Sequence, residues 1–335
     1  NPVSKYISLR TYRIFQAIVI PHTALISVIF GLMILSFPIG AYLFFNSQMG
    51  KSIDYALPIT ELGLVKRLNM DWLAQIGIGD IFIAVWVTFL ILFVIGSMGP
   101  KKSFLKALSP IMVGSYESLA GNYIVQSIKW FSIIIVLSAA IDIIQQNIGI
   151  KITAPTFEND LTGFLGLSIS PLIEEIGFRV ILIGVPLFFL YSKKFSVGLF
   201  FKSLWNPSDN IPNINQKKAL ILIILVGIFF GVAHILGEQW SSGKATQAAM
   251  AGIIIGWVYY RYGFVAGVLI HWATNYMIYS YAYLVSTINE IGITESFSHS
   301  LIGTIEIILV LAGISGLALT MLEIKISKDV KNSLS

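Results

Sequence analysis

Long stretches of apolar residues run through this chain, and their length restricts what it can fold into. Eight of them approach or exceed 20 residues, the length that a helix needs to cross the hydrocarbon core of a bilayer. Apolar residues make up 56% of the 335 residues and charged residues only 12%. A soluble domain usually carries about 25% charged residues, so this chain cannot cover a water-facing surface.

The sequence therefore predicts an all-α fold, a polytopic helical membrane protein with about eight transmembrane helices. Helices suit this solvent because they pair their own backbone polar groups inside lipid. We expect a single integral membrane domain over residues 1–335. The predicted spans are Thr23–Phe45, Ile76–Met98, Tyr123–Ile148, Leu161–Tyr191, Ala219–Leu236, Ala245–Tyr262, Phe264–Val285 and Leu301–Leu322.

Lysine and arginine are distributed unequally between the two sides of the predicted membrane. If the N-terminus is cytoplasmic, fifteen of the 22 lie in inner segments and five in outer ones. This bias follows the positive-inside rule, so both termini are predicted to be cytoplasmic and the protein to lie in the cell membrane. Two inner segments, Tyr6–Ile20 and Val197–Trp205, are predicted to lie along the membrane surface.

Composition also limits the chemistry and the partners. The chain has no cysteine, which excludes disulfides, iron–sulfur centres and cysteine nucleophiles. No basic run is interleaved with aromatic residues, so nucleic acid is not expected as a partner and membrane lipid is. Pairs of glycines four residues apart in or beside spans five to seven predict close helix packing there: Gly227/Gly231, Gly252/Gly256 and Gly263/Gly267.

Ionisable residues inside a span cost roughly 2.5 to 3.5 kcal/mol each to insert, so each one needs an explanation. Asp80 and Asp142 lie near span ends, and Lys129 is close enough to an end to extend its amine to the interface. Glu306 lies about a turn and a half inside span eight. For these four residues the position favours a structural role.

Span four carries three charges within six residues, in the order Glu174-Glu175-Ile-Gly-Phe-Arg179. Glu175 and Arg179 are four residues apart, so they share a helix face and can pair. Glu174 is about 100° away around the helix, which leaves it without a cation on its own helix. Glu174 is therefore the residue in this span that most needs a functional explanation.

Two further polar patterns lie in spans five and seven: Phe230-Gly-Val-Ala-His234 and His271-Trp-Ala-Thr-Asn275. In each, residues four apart project from one helix face. Buried polar groups need partners, and Glu174, His234, His271 and Asn275 can satisfy one another only if the three spans converge. We therefore expect these four side chains to form one cavity.

Such a cavity has the groups that peptide hydrolysis requires. Glu174 can deprotonate a water that attacks a carbonyl, and can then pass the proton to the leaving amine. His234 can help to hold this water, while His271 and Asn275 are placed on one face as donors to an oxyanion. No serine–histidine–aspartate arrangement competes with this one.

Together, the three ordered motifs resemble the CAAX protease and bacteriocin-processing family, also called CPBP or Abi, which includes the Ras-converting CAAX endopeptidases. The resemblance covers about residues 160–285, taken as a four-helix catalytic core, with residues 1–159 and 286–335 as peripheral helices and loops. It implies a glutamate-dependent intramembrane peptidase without a cofactor. The implied substrate is a membrane-associated peptide or a lipidated protein, such as a prenylated CAAX protein.

The resemblance also assigns roles to individual positions. It implies that Glu174 is the catalytic base, that His234 assists it, and that His271 and Asn275 form the oxyanion site. The implied supporting residues are Glu175, Arg179 and Phe230. Counting from span ends, however, puts His234 roughly 15 Å from the level of the other catalytic residues.

Two other functions are compatible with the same residues. Glu174, His234 and His271 form a ligand set that zinc accepts, which would make the protein a zinc-dependent intramembrane hydrolase. Intramembrane Glu and His residues also occur in transporters, and a non-enzymatic transporter or immunity-type membrane protein is the remaining alternative. A transporter usually shows an inverted repeat, and the sequence contains none that we detect.

Overall fold

Helices make up the regular structure of this protein. The computed structural model describes residues 9–52, 54, 76–112, 121–150, 157, 159–236 and 241–334, and side chains for all of these except 9–12, 110–112 and 327–334. Within these ranges the elements are α- and π-helices, with no β-strand. The predicted all-α polytopic fold class is confirmed.

Most helix bounds lie within a few residues of the predicted spans, but the first helix begins 14 residues earlier than predicted and the last ends 12 residues later. In chain order the elements are α1 (Leu9–Phe45), α2 (Ile78–Met98), α3 (Phe104–Met112), α4 (Tyr123–Asn147), α5 (Asp160–Glu174), the π-helix π1 (Glu175–Gly184), α6 (Val185–Tyr191), α7 (Val197–Trp205), α8 (Pro207–Asn210), α9 (Gln216–Leu236), α10 (Lys244–Tyr262), α11 (Phe264–Trp272), the π-helix π2 (Ala273–Met277), α12 (Ile278–Asn289), α13 (Ile293–Ser296) and α14 (Ser300–Leu334).

Five helices of the described chain are individually long and apolar enough to cross a membrane: Arg13–Phe45, Ile78–Met98, Tyr123–Asn147, Gln216–Leu236 and Ser300–Ile326. The other three predicted spans correspond to α5–π1–α6, to α10 and to α11–π2–α12. The total of eight spans stays a prediction.

The two predicted surface segments have different outcomes. Val197–Trp205 is a separate helix, capped by the Ser196 hydroxyl, which accepts a hydrogen bond from the Leu199 backbone N–H at 3.1 Å. Tyr6–Ile20, in contrast, is continuous with α1 from Leu9 onward, and the helix continues through Pro21. Its position along the membrane surface stays a prediction.

Some of the lysines and arginines that were counted to predict the orientation lie outside the described residues. These are Lys5, Lys66, Arg67 and Lys151, and most of the predicted outer loop 46–75 lies outside as well. The side chains of three further counted cations, Arg10, Lys328 and Lys331, are also not described. The cytoplasmic position of both termini stays a prediction.

Helix α11 lies at the centre of the molecule. All nine of its residues are buried, and it contacts α2, α4, α5, π1 and α10. The outer helices instead expose large apolar side chains, for example Ile91 at 54% and Leu225 at 60%. Exposed apolar faces of this kind suit a lipid solvent, and the buried α11 gives its His271 a rigid support.

Glycine brings α9 and α10 into close contact, as predicted. A Cβ added at Gly227 would lie 2.7 Å from the Ile253 backbone nitrogen, and one at Gly231 would lie 2.9 Å from that of Ala249. A Cβ at Gly252 would lie 3.0 Å from the Phe230 ring. The missing side chain of Gly252 therefore makes room for Phe230, which faces the polar centre described below.

Three of the ionisable residues outside span four, Asp80, Asp142 and Lys129, have a polar partner in the structure. Asp80 accepts a hydrogen bond from the Gly77 N–H at 3.0 Å, at the start of α2, and Asp142 accepts one from Gln146 at 2.8 Å. Lys129 has an ion-pair partner that the sequence did not predict. Its amine is 3.2 Å from a Glu323 carboxylate oxygen and its side chain is 4% exposed, because α14 supplies a counter-charge that the sequence pattern did not reveal.

Candidate active site

The glutamate pair lies where a helix changes type. Asn159 caps the start of α5, where its side chain accepts hydrogen bonds from the N–H groups of Leu161 and Thr162. The α-helical ladder ends at Glu174, and π1 begins at Glu175. Helices of the π type are rare and occur frequently at functional sites. The change from α-helix to π-helix therefore falls between the two adjacent glutamates, Glu174 and Glu175.

A second π segment carries Asn275. The helix that starts at Phe264 is α-helical to Trp272, becomes π2 over Ala273–Met277, and returns to α-helix at Ile278. His271 thus ends a buried α-helical segment while Asn275 lies in the wider π turn. Both helices that meet at the polar centre have altered backbone geometry there, and no sequence signal predicted either change.

Glu175 connects the two helices. Its Oε2 atom is 3.1 Å from Arg179 Nε, which is the predicted pair four residues apart. Its Oε1 atom lies 2.9 Å from Nδ1 of His271. Both Glu175 and Arg179 are buried, at 1% and 0% exposure. Glu175 therefore holds the imidazole of His271 in place as well as neutralising the arginine, a contact that the sequence did not predict.

Glu174 lies on the other side of the same imidazole. Its Oε2 atom is 3.8 Å from Nε2 of His271 and makes no hydrogen bond to a described residue. The Glu174 side chain is 29% exposed, whereas the neighbouring Glu175 is 1% exposed. Glu174, which was predicted to lack a cation on its own helix, is therefore the more exposed of the two glutamates, although its Oε2 atom is itself buried.

Phe230 brings His234 into the same site. Its ring centroid is 4.5 Å from that of His234 and 5.9 Å from that of His271, and the Arg179 guanidinium carbon lies 4.5 Å from the ring. The expected separation of roughly 15 Å between His234 and the level of the other residues is therefore wrong. The helix ends do not lie at one level, so counting residues from them misplaced His234.

Backbone contact sets the orientation of the His234 ring. Its Nδ1 atom is 2.8 Å from the carbonyl oxygen of Phe230, so Nδ1 carries the proton and donates. The opposite nitrogen, Nε2, is then an acceptor in the neutral ring. His234 also interacts electrostatically with Glu174 and His271, which places its ring within the field of both.

Asn275 has a partner that the sequence analysis did not assign. Its side-chain nitrogen donates to the Ser170 hydroxyl at 3.0 Å and is 3.4 Å from His271 Nε2. Ser170 precedes Glu174 by four residues, so the same spacing rule that found the three motifs could have indicated it. Ser168, in contrast, donates to the Phe164 carbonyl at 2.7 Å and faces its own helix.

The residues proposed as zinc ligands do not form a recognisable metal site. In the part of the chain that the structure describes, no three His, Asp or Glu side chains are grouped so that they could hold a metal ion. His234 and His271 each lie against the ring of Phe230, and Glu174 lies 3.8 Å from His271 Nε2. The geometry gives the zinc alternative no support, and the absence of a required metal stays a prediction.

Chelation tests this prediction directly. Because the described residues offer no three-ligand metal site, we expect prolonged treatment with EDTA, followed by gel filtration, to leave the peptidase turnover unchanged. The measurement is cleavage of a membrane-borne peptide before and after treatment. Loss of turnover that added zinc restores would contradict the metal-free mechanism.

Comparisons with known proteins agree with the resemblance that the three motifs carry. Residues 159–277 match a family model described as type II CAAX prenyl endopeptidase Rce1-like. The matched segment includes both glutamates, both histidines and Asn275. No curated protein and no solved structure matches the chain.

Proposed function

Residues 159–277 belong to the Rce1-like family of type II CAAX prenyl endopeptidases, and from this premise we propose that the chain is an intramembrane endopeptidase with Glu174 as its base. Family membership supports the protease activity. One observation supports the glutamate mechanism: the accessible Glu174 carboxylate lies 3.8 Å from His271, which a second carboxylate holds in place.

Glu174 and His234 are the proposed water-activating pair. The Glu174 side chain is 29% exposed, although its Oε2 atom is buried, and we propose that a water molecule reaches the carboxylate from the exposed side. His234 donates through Nδ1 to its own helix, so Nε2 is free to accept a hydrogen bond from that water. A water held by both groups has its proton directed at the carboxylate, which is the arrangement that general base catalysis requires.

His271 is proposed as a positively charged donor. The local charges are two carboxylates, Glu174 and Glu175, and one guanidinium, Arg179, so a protonated imidazole between the carboxylates makes the group neutral. An imidazolium donates through both ring nitrogens. Nδ1 then donates to Glu175, and Nε2 is available to a developing oxyanion. A neutral ring with its proton on Nδ1 would offer only an acceptor there.

Asn275 is proposed as the second oxyanion donor. Its side-chain nitrogen lies 3.4 Å from His271 Nε2, so both donors approach the same small region. Ser170 accepts one of its two N–H bonds, which fixes the amide plane and leaves the other N–H for the substrate. Preorganised donors of this kind stabilise charge that develops in the transition state.

The proposed reaction then balances without a cofactor. Glu174 takes a proton from the water while the hydroxide oxygen bonds to the peptide carbonyl carbon, and the carbonyl oxygen becomes an oxyanion beside His271 and Asn275. The carbon–nitrogen bond breaks as the protonated Glu174 returns its proton to the leaving amine. The products are a carboxylic acid and an amine, which become a carboxylate and an ammonium group by exchanging a proton, and Glu174 is again ionised.

We propose a membrane-anchored peptide as substrate, such as the C-terminal segment of a prenylated protein. Ile173 and Ile176 flank the glutamates and are 64% and 42% exposed, so the site borders an apolar, lipid-facing surface. A substrate held in the bilayer by a lipid or by an apolar segment can reach it laterally. The direct test is mass spectrometry of the products from a library of prenylated and unprenylated membrane peptides.

Replacing Asn275 by alanine should lower turnover by roughly two to three orders of magnitude, the loss expected when one oxyanion donor is removed. The KM should change little, because the lost contact forms only in the transition state. Steady-state kinetics in proteoliposomes measure both quantities. An unchanged turnover number would remove Asn275 from the oxyanion site.

A further inference from the structure

A cavity lies on another face of the helix that carries the candidate oxyanion residues. Its volume is about 280 Å³, close to the lower limit of small-molecule sites. Apolar side chains form most of its wall, and the lining residues come from α4, the α11–π2–α12 helix, the residue that follows α13, and α14. They are Ile135, Thr274, Ile278, Tyr281, Phe297, Ile302, Ile305, Glu306 and Leu309.

One carboxylate, that of Glu306, interrupts this apolar wall. Glu306 is an exposed residue of α14, and it makes no hydrogen bond or ion pair with any residue that the structure describes. Asp80 and Glu323, by contrast, each have a partner. The structural role that the sequence suggested for Glu306 is therefore not seen among its described neighbours.

The depth of Glu306 makes a free carboxylate costly. It lies six residues after Ser300, which puts it about 9 Å along the helix axis from the start of α14. An ionisable group at such a depth in a span usually faces a ligand or an ion path.

The cavity is separate from the candidate active site. Thr274 and Ile278 line it, whereas His271 and Asn275 face Glu174 and Ser170 from another side of the same helix. The Thr274 hydroxyl donates to the Ile270 carbonyl at 3.0 Å and so is already occupied. Glu306 is thus the group of the cavity best suited to recognise a charged ligand.

We propose that this cavity binds a membrane lipid with a primary ammonium headgroup, such as phosphatidylethanolamine. Glu306 pairs with the ammonium group, and the upper part of an acyl chain lies against Ile302, Ile305 and Leu309. Charge complementarity selects the headgroup, because an anionic headgroup would meet the carboxylate with like charge. The apolar wall accounts for the chain.

Lipid binding to the full-length protein tests this proposal. Native mass spectrometry of the detergent-solubilised chain would compare phosphatidylethanolamine with phosphatidylglycerol that has the same acyl chains. We expect the unmodified protein to retain the ethanolamine lipid about fivefold more strongly, the ratio that a single exposed ion pair can give. Glu306→Gln should remove this preference.

A matched control is available on the adjacent helix. Glu295 is also an exposed carboxylate but does not line the cavity, so Glu295→Gln should keep the full preference. Ile302→Trp should fill the cavity and reduce retention of both lipids. If that variant does not fold, octadecylamine but not octadecanol should displace the bound lipid from the unmodified protein. An unchanged preference in Glu306→Gln, or displacement by both compounds alike, would overturn the proposal.

Discussion

Replacing Glu174 by glutamine is expected to lower peptidase turnover by about four orders of magnitude, the upper end of what a general acid–base group contributes. Glutamine keeps the shape of the side chain but can neither accept the proton from water nor return it to the amine. Folding should be unaffected because the side chain is partly exposed and its Oε2 atom has no hydrogen-bond partner in the described chain. Single-turnover cleavage of a membrane-borne peptide measures the effect.

His234→Ala provides a companion to this variant. His234 packs against Phe230 and interacts electrostatically with Glu174. In the proposed mechanism it helps to hold the water, and Glu174 alone acts as the base. We expect its loss to abolish detectable steady-state cleavage while the thermal unfolding midpoint stays close to that of the unmodified protein. Near-normal turnover in either variant would reject the proposed water-activating pair.

Replacing Glu175 by alanine should harm stability more than catalysis, unlike the change at Glu174. We expect a loss of about 3–5 kcal/mol in the free energy of unfolding. The change leaves the guanidinium of Arg179 buried at 0% exposure without its counter-charge. It also removes the acceptor for Nδ1 of His271. Denaturation of the detergent-solubilised protein, followed by circular dichroism, measures the loss.

A double variant tests whether the loss of stability comes from leaving the Arg179 charge buried without its partner. Glu175→Leu combined with Arg179→Met removes both charges, and buried pairs replaced by apolar residues are often tolerated. The double variant should therefore recover much of the stability that Glu175→Ala loses, although His271 remains without its acceptor. If Glu175→Ala is as stable as the unmodified protein, the structural role of the Glu175–Arg179 pair is wrong.

The helical fold could largely be predicted from the sequence because only a few kinds of backbone structure are stable in lipid. Apolar length predicted the helices, and the bounds of Val197–Trp205 agree with the structure at both ends. The sequence did not reveal contacts in which a neighbouring helix supplies the partner. Lys129 is paired because Glu323, far away in sequence, lies on the helix beside it, and no local pattern contains that information.

For the candidate site, the sequence identified residues but not their contacts. Spacing of four predicted the Glu175–Arg179 pair, which the structure shows, and left Glu174 without a cation on its own helix. It did not predict that Glu175 also holds His271, or that Ser170 holds Asn275. Both contacts cross between helices, and both involve residues next to a π segment whose geometry differs from the α-helix on which spacing rules depend.

The sequence by itself determined that this chain is a helical membrane protein with an intramembrane Glu, His and Asn constellation, because hydrophobic length and residue spacing are local properties. Only the tertiary structure decided that His234 and His271 both lie against the ring of Phe230, that Glu175 is buried while the Glu174 side chain is 29% exposed, and that Glu306 borders a separate cavity. These features depend on how helices tilt and end relative to one another, which packing between distant segments sets.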